Sequence, residues 1–274
     1  MFKKNKIGTK LLLAILVPTL LSIVVISLMG FVVAKQTLEE QSFKQLMAVR
    51  ESKKKQIENY FQQIRKQVRT FSEDRMIIDA MLEFETAFRD RPVELNRRDE
   101  DQLRDYYQTE FLPRLNKNLE QAANIESFWP KEEIVLAIQF EYLAANTFPT
   151  GKKDSKIDSI TKNLYSEAHV KYHPIIRNYL KTFGYYDIFL IDHESGNIVY
   201  SVFKEVDFGT SLLDGPYKDT NFAKAFRAAR MATKKDFVRM TDFEPYFPSY
   251  NAPAAFIASP IFQGEKKIGV LIFQ

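Results

Sequence analysis

The sequence predicts an α+β chain with an apolar N-terminal span, a long helix and further helical segments, and a final run of short antiparallel strands. Three observations carry this. Residues 11–33 hold no charge, apolar residues then recur at helical spacing to about Thr182, and from Tyr185 the pattern shortens to strand-like runs bounded by turn residues.

Composition sets the frame. At 274 residues, 45% hydrophobic and 27% charged, with 9 Gly and 11 Pro, the chain falls in the globular range. About 240 residues beyond the span are enough for two packed modules. The net charge of +4 comes entirely from Lys3, Lys4, Lys6 and Lys10. The remainder is balanced, so no basic stripe is available for phosphates and nucleic acid is not an expected partner. Cysteine is absent, which removes disulfides, thiol nucleophiles and thiolate metal sites.

The run Leu11–Val33 is 23 residues long, and about 20 residues of helix cross a bilayer core. Pro18, Thr19, Ser22, Ser27 and Gly30 interrupt it, which a lipid-embedded helix tolerates. Four lysines before the span and Glu39 and Glu40 after it place residues 1–10 in the cytoplasm and residue 34 onward outside, in the periplasm of an inner-membrane protein. A cleaved signal peptide with Val32 and Ala34 at the cleavage positions is the competing reading, but the apolar run is longer than a signal core of about 7–15 residues.

From Gln36 to Ser72 there is no Gly or Pro. Phe43, Leu46, Ile57, Tyr60, Ile64 and Phe71 follow a spacing close to a heptad, so one long helix with a homodimer contact along its stripe is expected. Arg50, Lys53 and Gln67 break that seam, and the same stripe would serve an intramolecular bundle. Further helices are expected over Asp74–Arg89, over Glu100–Ala123 with a bend before Pro113, from Trp129-Pro130, and over Ile157–Thr182 with a bend at His173-Pro174 and a stop at Gly184.

Strands are expected at Tyr185–Asp192 and Asn197–Val202, joined by the turn His193–Gly196. A short helix follows at Asn221–Met231, then strands near Phe237–Met240, Ala254–Phe262 and Lys267–Phe273. Two strands, a loop and helix, then three strands is the order of a PAS-like module, an antiparallel sheet with one face covered. The expected organisation is therefore a tail (1–10), a membrane helix (11–33), a helical extracytoplasmic region (34–183) and a PAS-like module (184–274).

The runs YYDIFLID (Tyr185–Asp192), GNIVYSVFKEVDFGTSL (Gly196–Leu212) and DFEPYFPSYNAPAAFIASPIF (Asp242–Phe262), with IGVLIFQ at the end, resemble the periplasmic sensor region of methyl-accepting chemotaxis proteins with Cache-type domains. LAANTF (Leu143–Phe148) and HVKYHP (His169–Pro174) are similar to the helical portion before it. The resemblance implies a small-molecule ligand and, beyond these residues, a second membrane helix, a HAMP linker and a kinase-control region. Similar sensor regions also precede nucleotide cyclases and histidine kinases. In the amino-acid-binding variant a Trp and an Arg precede a Trp-Tyr or Tyr-Tyr strand; Tyr185-Tyr186 matches the strand pair, while Trp129 lies far upstream.

Candidate ligand contacts are Tyr186, Asp187, Tyr200 and Ser201 on the first two strands, and Asp242, Glu244, Tyr246 and Tyr250 on a proline-stiffened loop. Asp187 stands out because an acid within a half-buried strand needs a partner. Lys204 and Arg177 could answer an anion or lie along the surface. His169 and His173 share a helix face at metal-ligand spacing, yet the flanking residues fit no zinc motif, and packed histidines are expected. No phosphate loop, nucleophile elbow or triad grouping is present in the sequence, so neither catalysis, metal nor cofactor is expected.

Overall fold

The computed structural model describes residues 7–93, 95–159 and 161–274. Lys3, Lys4 and Lys6, on which the orientation of the span rests, lie outside the described residues. The chain divides into two compact units, one ending at Gln62 and one running Gln63–Gln274.

Helix α1, Ile7–Ser72, is continuous through both the apolar run and the heptad-like stripe. Among the described residues it is the one helix long and apolar enough to cross a membrane. Pro18 removes one backbone donor, and the hydroxyls of Thr19 and Ser22 bond back to the carbonyls of Ile15 (3.0 Å) and Pro18 (2.8 Å). Every described side chain up to Gln62 is exposed, Phe43, Leu46, Ile57 and Tyr60 included. In the second unit, the last turns of α1 bury Val68, Phe71 and Ser72, with Phe71 stacked on Tyr179 at 3.9 Å.

Helix α2, Arg75–Arg89, starts where the Asp74 side chain accepts from the backbone N–H of Met76. Helix α3, Arg97–Tyr106, opens on a reciprocal capping box between Asn96 and Asp99. It runs into a π-helical turn, Tyr107–Phe111, and a short α4, Leu112–Asn116. The expected Glu100–Ala123 helix is thus a contiguous run of α, π and α turns that ends at Asn116, and its π-helical turn falls just before Pro113, whose missing N–H cannot bond the carbonyl one turn back. Helix α5 is Glu133–Gln139, followed by a second π-helical turn, Phe140–Ala144. Helix α6, Leu164–Phe183, begins at an Asn163–Ser166 capping box, seven residues later than the periodicity suggested, and carries Pro174 internally. Gly184, at φ 75°, closes it in the left-handed conformation that glycine adopts without strain.

The strands are β1 Ile188–Asp192 and β2 Ile198–Ser201, then helix α7 Asn221–Met231, β3 Arg239–Met240, β4 Glu244–Tyr246, β5 Ala252–Ala254, β6 Ile257–Gln263 and β7 Lys266–Phe273. Five form one antiparallel sheet in the order β2-β1-β7-β6-β3, and β4 pairs with β5 as a separate hairpin. The α+β architecture with a long apolar N-terminal helix and an antiparallel sheet is as the sequence implied.

The sheet is covered on both faces, where one was expected. All of β1 and β2 is buried, and alternate residues face opposite sides. Phe189 packs on Phe222 of α7 at 4.6 Å, while Tyr200 stacks on Phe84 of α2 at 4.8 Å. Such double coverage explains why Ile188–Ile191 read as an unbroken apolar run rather than an alternation. Gly269 of β7 sits so close beneath α2 that a Cβ there would lie 2.5 Å from the Met81 sulfur. One core joins the helical segments to the sheet, so the change of periodicity near Gly184 falls inside a single unit.

Candidate functional site

The alternation of β1 and β2 divides the candidate contacts. Asp187 and Ser201 lie on the α7 side with Phe189, and Tyr200 on the α2 side. There the Tyr200 hydroxyl meets His173 Nδ1 at 2.8 Å, and His173 Nε2 meets the Asp154 carbonyl at 2.7 Å. His169 and His173 are fully buried and stacked 4.3 Å apart, and burial holds His173 near a pKa of about 2. Arg177 is engaged by the Asp154 carboxylate at 2.7 Å.

Asp187 is fully buried and accepts from the Ser201 hydroxyl (2.7 Å) and from the N–H groups of Ile188 (2.6 Å), Val202 (2.9 Å) and Phe203 (3.3 Å). Burial pushes its carboxyl up to about 7 while these donors pull the other way. The donors bend the chain leaving β2 around the carboxylate. Lys204, at the turn, has φ 57° and a buried ammonium that donates to the Ser201 (2.9 Å) and Val202 (3.3 Å) carbonyls. It is a core residue, not a surface one, and burial lowers it to about 7.

That turn delivers two residues the sequence reading missed, Glu205 and Asp207. Glu205 accepts from the Tyr250 hydroxyl at 3.2 Å and lies 3.6 Å from Lys153, whose ammonium also bonds the Tyr106 hydroxyl. Asp207 accepts from the Tyr246 hydroxyl at 2.6 Å through Oδ2, while Oδ1 has no partner among the described residues. The buried hydroxyl of Tyr217 also has none. Burial pushes Asp207 up to about 7, and the nearby carboxylates of Asp187 and Glu205 add to the shift. The result is a nest, a largely buried cluster of Tyr217, Tyr246 and Tyr250 around Glu205 and Asp207 with the Tyr217 and Tyr246 rings 6.1 Å apart, and among the described residues no cation pairs with Asp207.

The frame around the nest is fixed. Gln139 of α5 donates to the carbonyls of Val206 (2.9 Å) and Phe208 (2.7 Å) and accepts from the Tyr107 hydroxyl (2.8 Å). Asn118 and the β4–β5 connection exchange bonds, Asn118 Nδ2 to the Tyr250 carbonyl (2.8 Å) and Asn251 Nδ2 to the Asn118 carbonyl (3.1 Å). The three non-glycine residues with positive φ among those described, Lys204, Tyr250 and Asn251, all flank this nest. Left-handed backbone at such residues persists where surrounding contacts impose it.

The structure therefore brings together Asp187, Ser201, Tyr246 and Tyr250, with Tyr186 at the margin, half exposed and stacked on Phe203. It sets Tyr200 on the other face of the sheet. Asp242 and Glu244 point away: Asp242 bonds the N–H of Phe243, and Glu244 pairs with Lys224 at 3.1 Å, both exposed. The expected proline-stiffened loop is the β4–β5 hairpin, in which Pro245 and Pro253 face each other across two short strands. A signal for Asp207 existed in VDFGT, an acid between apolar neighbours, the same pattern that singled out Asp187. Tyr217, in an irregular segment after β2, had no such pattern.

No family model matches this chain, and no curated protein matches it. Among solved structures it is similar to the sensor domain of the V. cholerae histidine kinase DctB, at 13% identity and a TM-score of 0.30, over 62% of this chain and 54% of that one. It is also similar to the ligand-binding domain of the Campylobacter jejuni chemoreceptor Tlp3, solved with L-valine, at 13% identity and a TM-score of 0.28, over 73% of this chain and 63% of that one. The chain thus spans less than two thirds of the length of either protein, and scores this low carry no functional argument.

Proposed function

We propose that this chain is the membrane-anchored, extracytoplasmic sensing part of a bacterial receptor of the chemotaxis type, and that it binds a small molecule carrying a protonated amine. The observation that carries the reading is the nest itself. A buried carboxylate oxygen of Asp207 and a buried hydroxyl of Tyr217 stand without partners among the described residues, near the carboxylates of Asp187 and Glu205, and leaving such groups unmatched costs about 1–3 kcal/mol each. An ammonium donor would satisfy both and neutralise the acid. Rigid tyrosine walls with a few convergent polar groups are what a small-ligand site requires.

The nest adjoins the end of β7. Gln274 accepts from the N–H of Tyr186 (2.9 Å), donates its own N–H to the Asp187 carbonyl (2.9 Å) and reaches Ser249 Oγ with its side chain (2.9 Å). A ligand that binds one arrangement of this corner more tightly shifts the population towards it. Residues 11–33 of helix α1 serve as the span, with residues 1–10 cytoplasmic and residues 34–274 in the periplasm, and the exposed Phe43, Leu46, Ile57 and Tyr60 supply a homodimer contact. The role is binding, not turnover. A thermal-shift screen of small amines and their neutral isosteres on the whole chain in detergent tests the reading. Saturable stabilisation by at least one amine, absent for its isostere, is expected; no saturable amine ligand would count against it.

A further inference from the structure

A cavity, sharing no residue with the tyrosine nest, lies between the π-helical turn after α5 and the start of α6. It encloses about 440 Å³, within the usual range for small-ligand sites of about 300–1,000 Å³. Arg91 and Glu141, each 7% exposed at the side chain, form an ion pair in its wall through a single contact between Arg91 Nη2 and Glu141 Oε2. That leaves Arg91 Nε and Nη1 and Glu141 Oε1 buried without partners among the described residues. Ser159 Oγ, in the same wall, is also buried and unpartnered.

These four atoms have complementary needs. The free Arg91 nitrogens and the Ser159 hydroxyl can donate, while the free Glu141 oxygen can only accept. Lys156 adds a third donor: its ammonium spends two bonds on the carbonyls of Glu141 (2.9 Å) and Ala145 (3.5 Å) and has three to give. Arg91 and Lys156 face Glu141 at the buried wall, Asp99 and Lys162 also line the cavity, and Lys162 is paired with Asp158, so the need for an acceptor comes from the unspent donors of Arg91, Lys156 and Ser159 rather than from net charge. Pro92, Phe140 and Ala145 supply an apolar side to the lining, and Asp99, Thr161, Lys162 and Asn163 complete its polar side.

We propose that this cavity binds a small hydroxycarboxylate, its carboxylate held by Arg91, Lys156 and Ser159, its hydroxyl donating to Glu141, and its carbon chain lying on Pro92 and Phe140. An arginine whose fork is only partly used by its ion-pair partner is suited to a second carboxylate. This site goes beyond the amine reading of the nest, and titrations of the two succeed or fail independently.

The test is isothermal titration of the whole chain with 3-hydroxybutyrate, with butyrate lacking the hydroxyl and 3-hydroxybutyramide lacking the charge as controls. The expected result is saturable binding of the hydroxy acid, with butyrate weaker and the amide weaker by about tenfold or more. Ser159→Ala lowers affinity for the hydroxy acid. The double variant Arg91→Met with Glu141→Met abolishes it while keeping the fold, because removing both buried charges together avoids stranding either one. Melting curves on both variants establish that they are folded. Absence of binding at millimolar concentrations, equal binding of acid and amide, or full affinity in the folded double variant would overturn the proposal.

Discussion

Replacing Asp207 by Asn should make the protein more stable at alkaline pH, and the size of the gain follows from the carboxyl's surroundings. Asp207 is fully buried, the Tyr246 hydroxyl is its carboxylate's one side-chain partner among the described residues, and burial raises its pKa from 3.8 to about 7. A raised acid holds its proton in the folded state over a window where the unfolded chain has lost it. Between about pH 4 and 7 the folded state therefore binds more protons, and stability falls as pH rises through that window. A shift of about three units at 1.36 kcal/mol each sets the loss above pH 7 at no more than about 4 kcal/mol. Asparagine keeps an oxygen for Tyr246 and does not ionise. Urea unfolding of the whole chain in detergent at pH 4.5 and pH 8 should show little difference between Asp207→Asn and wild type at the lower pH, and the variant more stable by up to about 4 kcal/mol at the higher. The acid limb set by the buried histidines is common to both proteins and drops out of the difference. A variant less stable than wild type at pH 8, or a difference independent of pH, would refute the idea that Asp207 is an uncompensated buried acid. Ligand affinity should fall in the same variant, the trade of stability for function expected of a binding residue.

Asp187→Asn should gain less at pH 8 than Asp207→Asn, because an amide nitrogen turned towards donors that now meet carboxylate oxygens costs about 1–3 kcal/mol against the gain from removing an acid raised to about 7; urea unfolding of both variants at pH 8 decides it. Gly269→Ala should destabilise by about 1–3 kcal/mol through the clash with Met81 and the Ile191 carbonyl, read by urea unfolding, and a loss in the Gly269→Ala, Met81→Ala double variant smaller than the sum of the two single losses would identify the Met81 clash as a cause. Single cysteines at Leu46 and Ile57 should crosslink between chains in membranes, since both positions are exposed on the α1 stripe. If neither does so while Phe31→Cys crosslinks, the dimer contact lies elsewhere.

Much of the fold was legible because periodicity and punctuation agreed. The limits of α2, β1, β2, α7 and β7 follow the apolar runs and their flanking Asp, Gly and turn residues. The start of α6 differs from the expected Ile157 because Ile157 continues the apolar spacing of the helix, whereas the helix opens only at the Asn163–Ser166 capping box. The two π-helical turns have no periodic signature, and the β4–β5 hairpin was hidden by its prolines, which read as loop. The candidate site was half legible. Tyr246 and Tyr250 were marked by an aromatic, acid-rich stretch, but which carboxylates they meet depends on the turn at Lys204 and on Gln139, seventy residues earlier in the chain than Gly209's neighbourhood and without local signal. Tyr200 was grouped with Ser201 by adjacency, and a strand sends adjacent residues to opposite faces.

The most direct measurement of the central claim is calorimetric titration of the best amine from the screen against wild type and Tyr217→Phe, with melting curves for both. The Tyr217 hydroxyl is buried and has no partner among the described residues, so removing it should leave stability unchanged or raise it by about 1–3 kcal/mol, while affinity for the amine falls by about tenfold. Unchanged affinity in the stable variant would contradict the account and place the ligand outside the tyrosine nest.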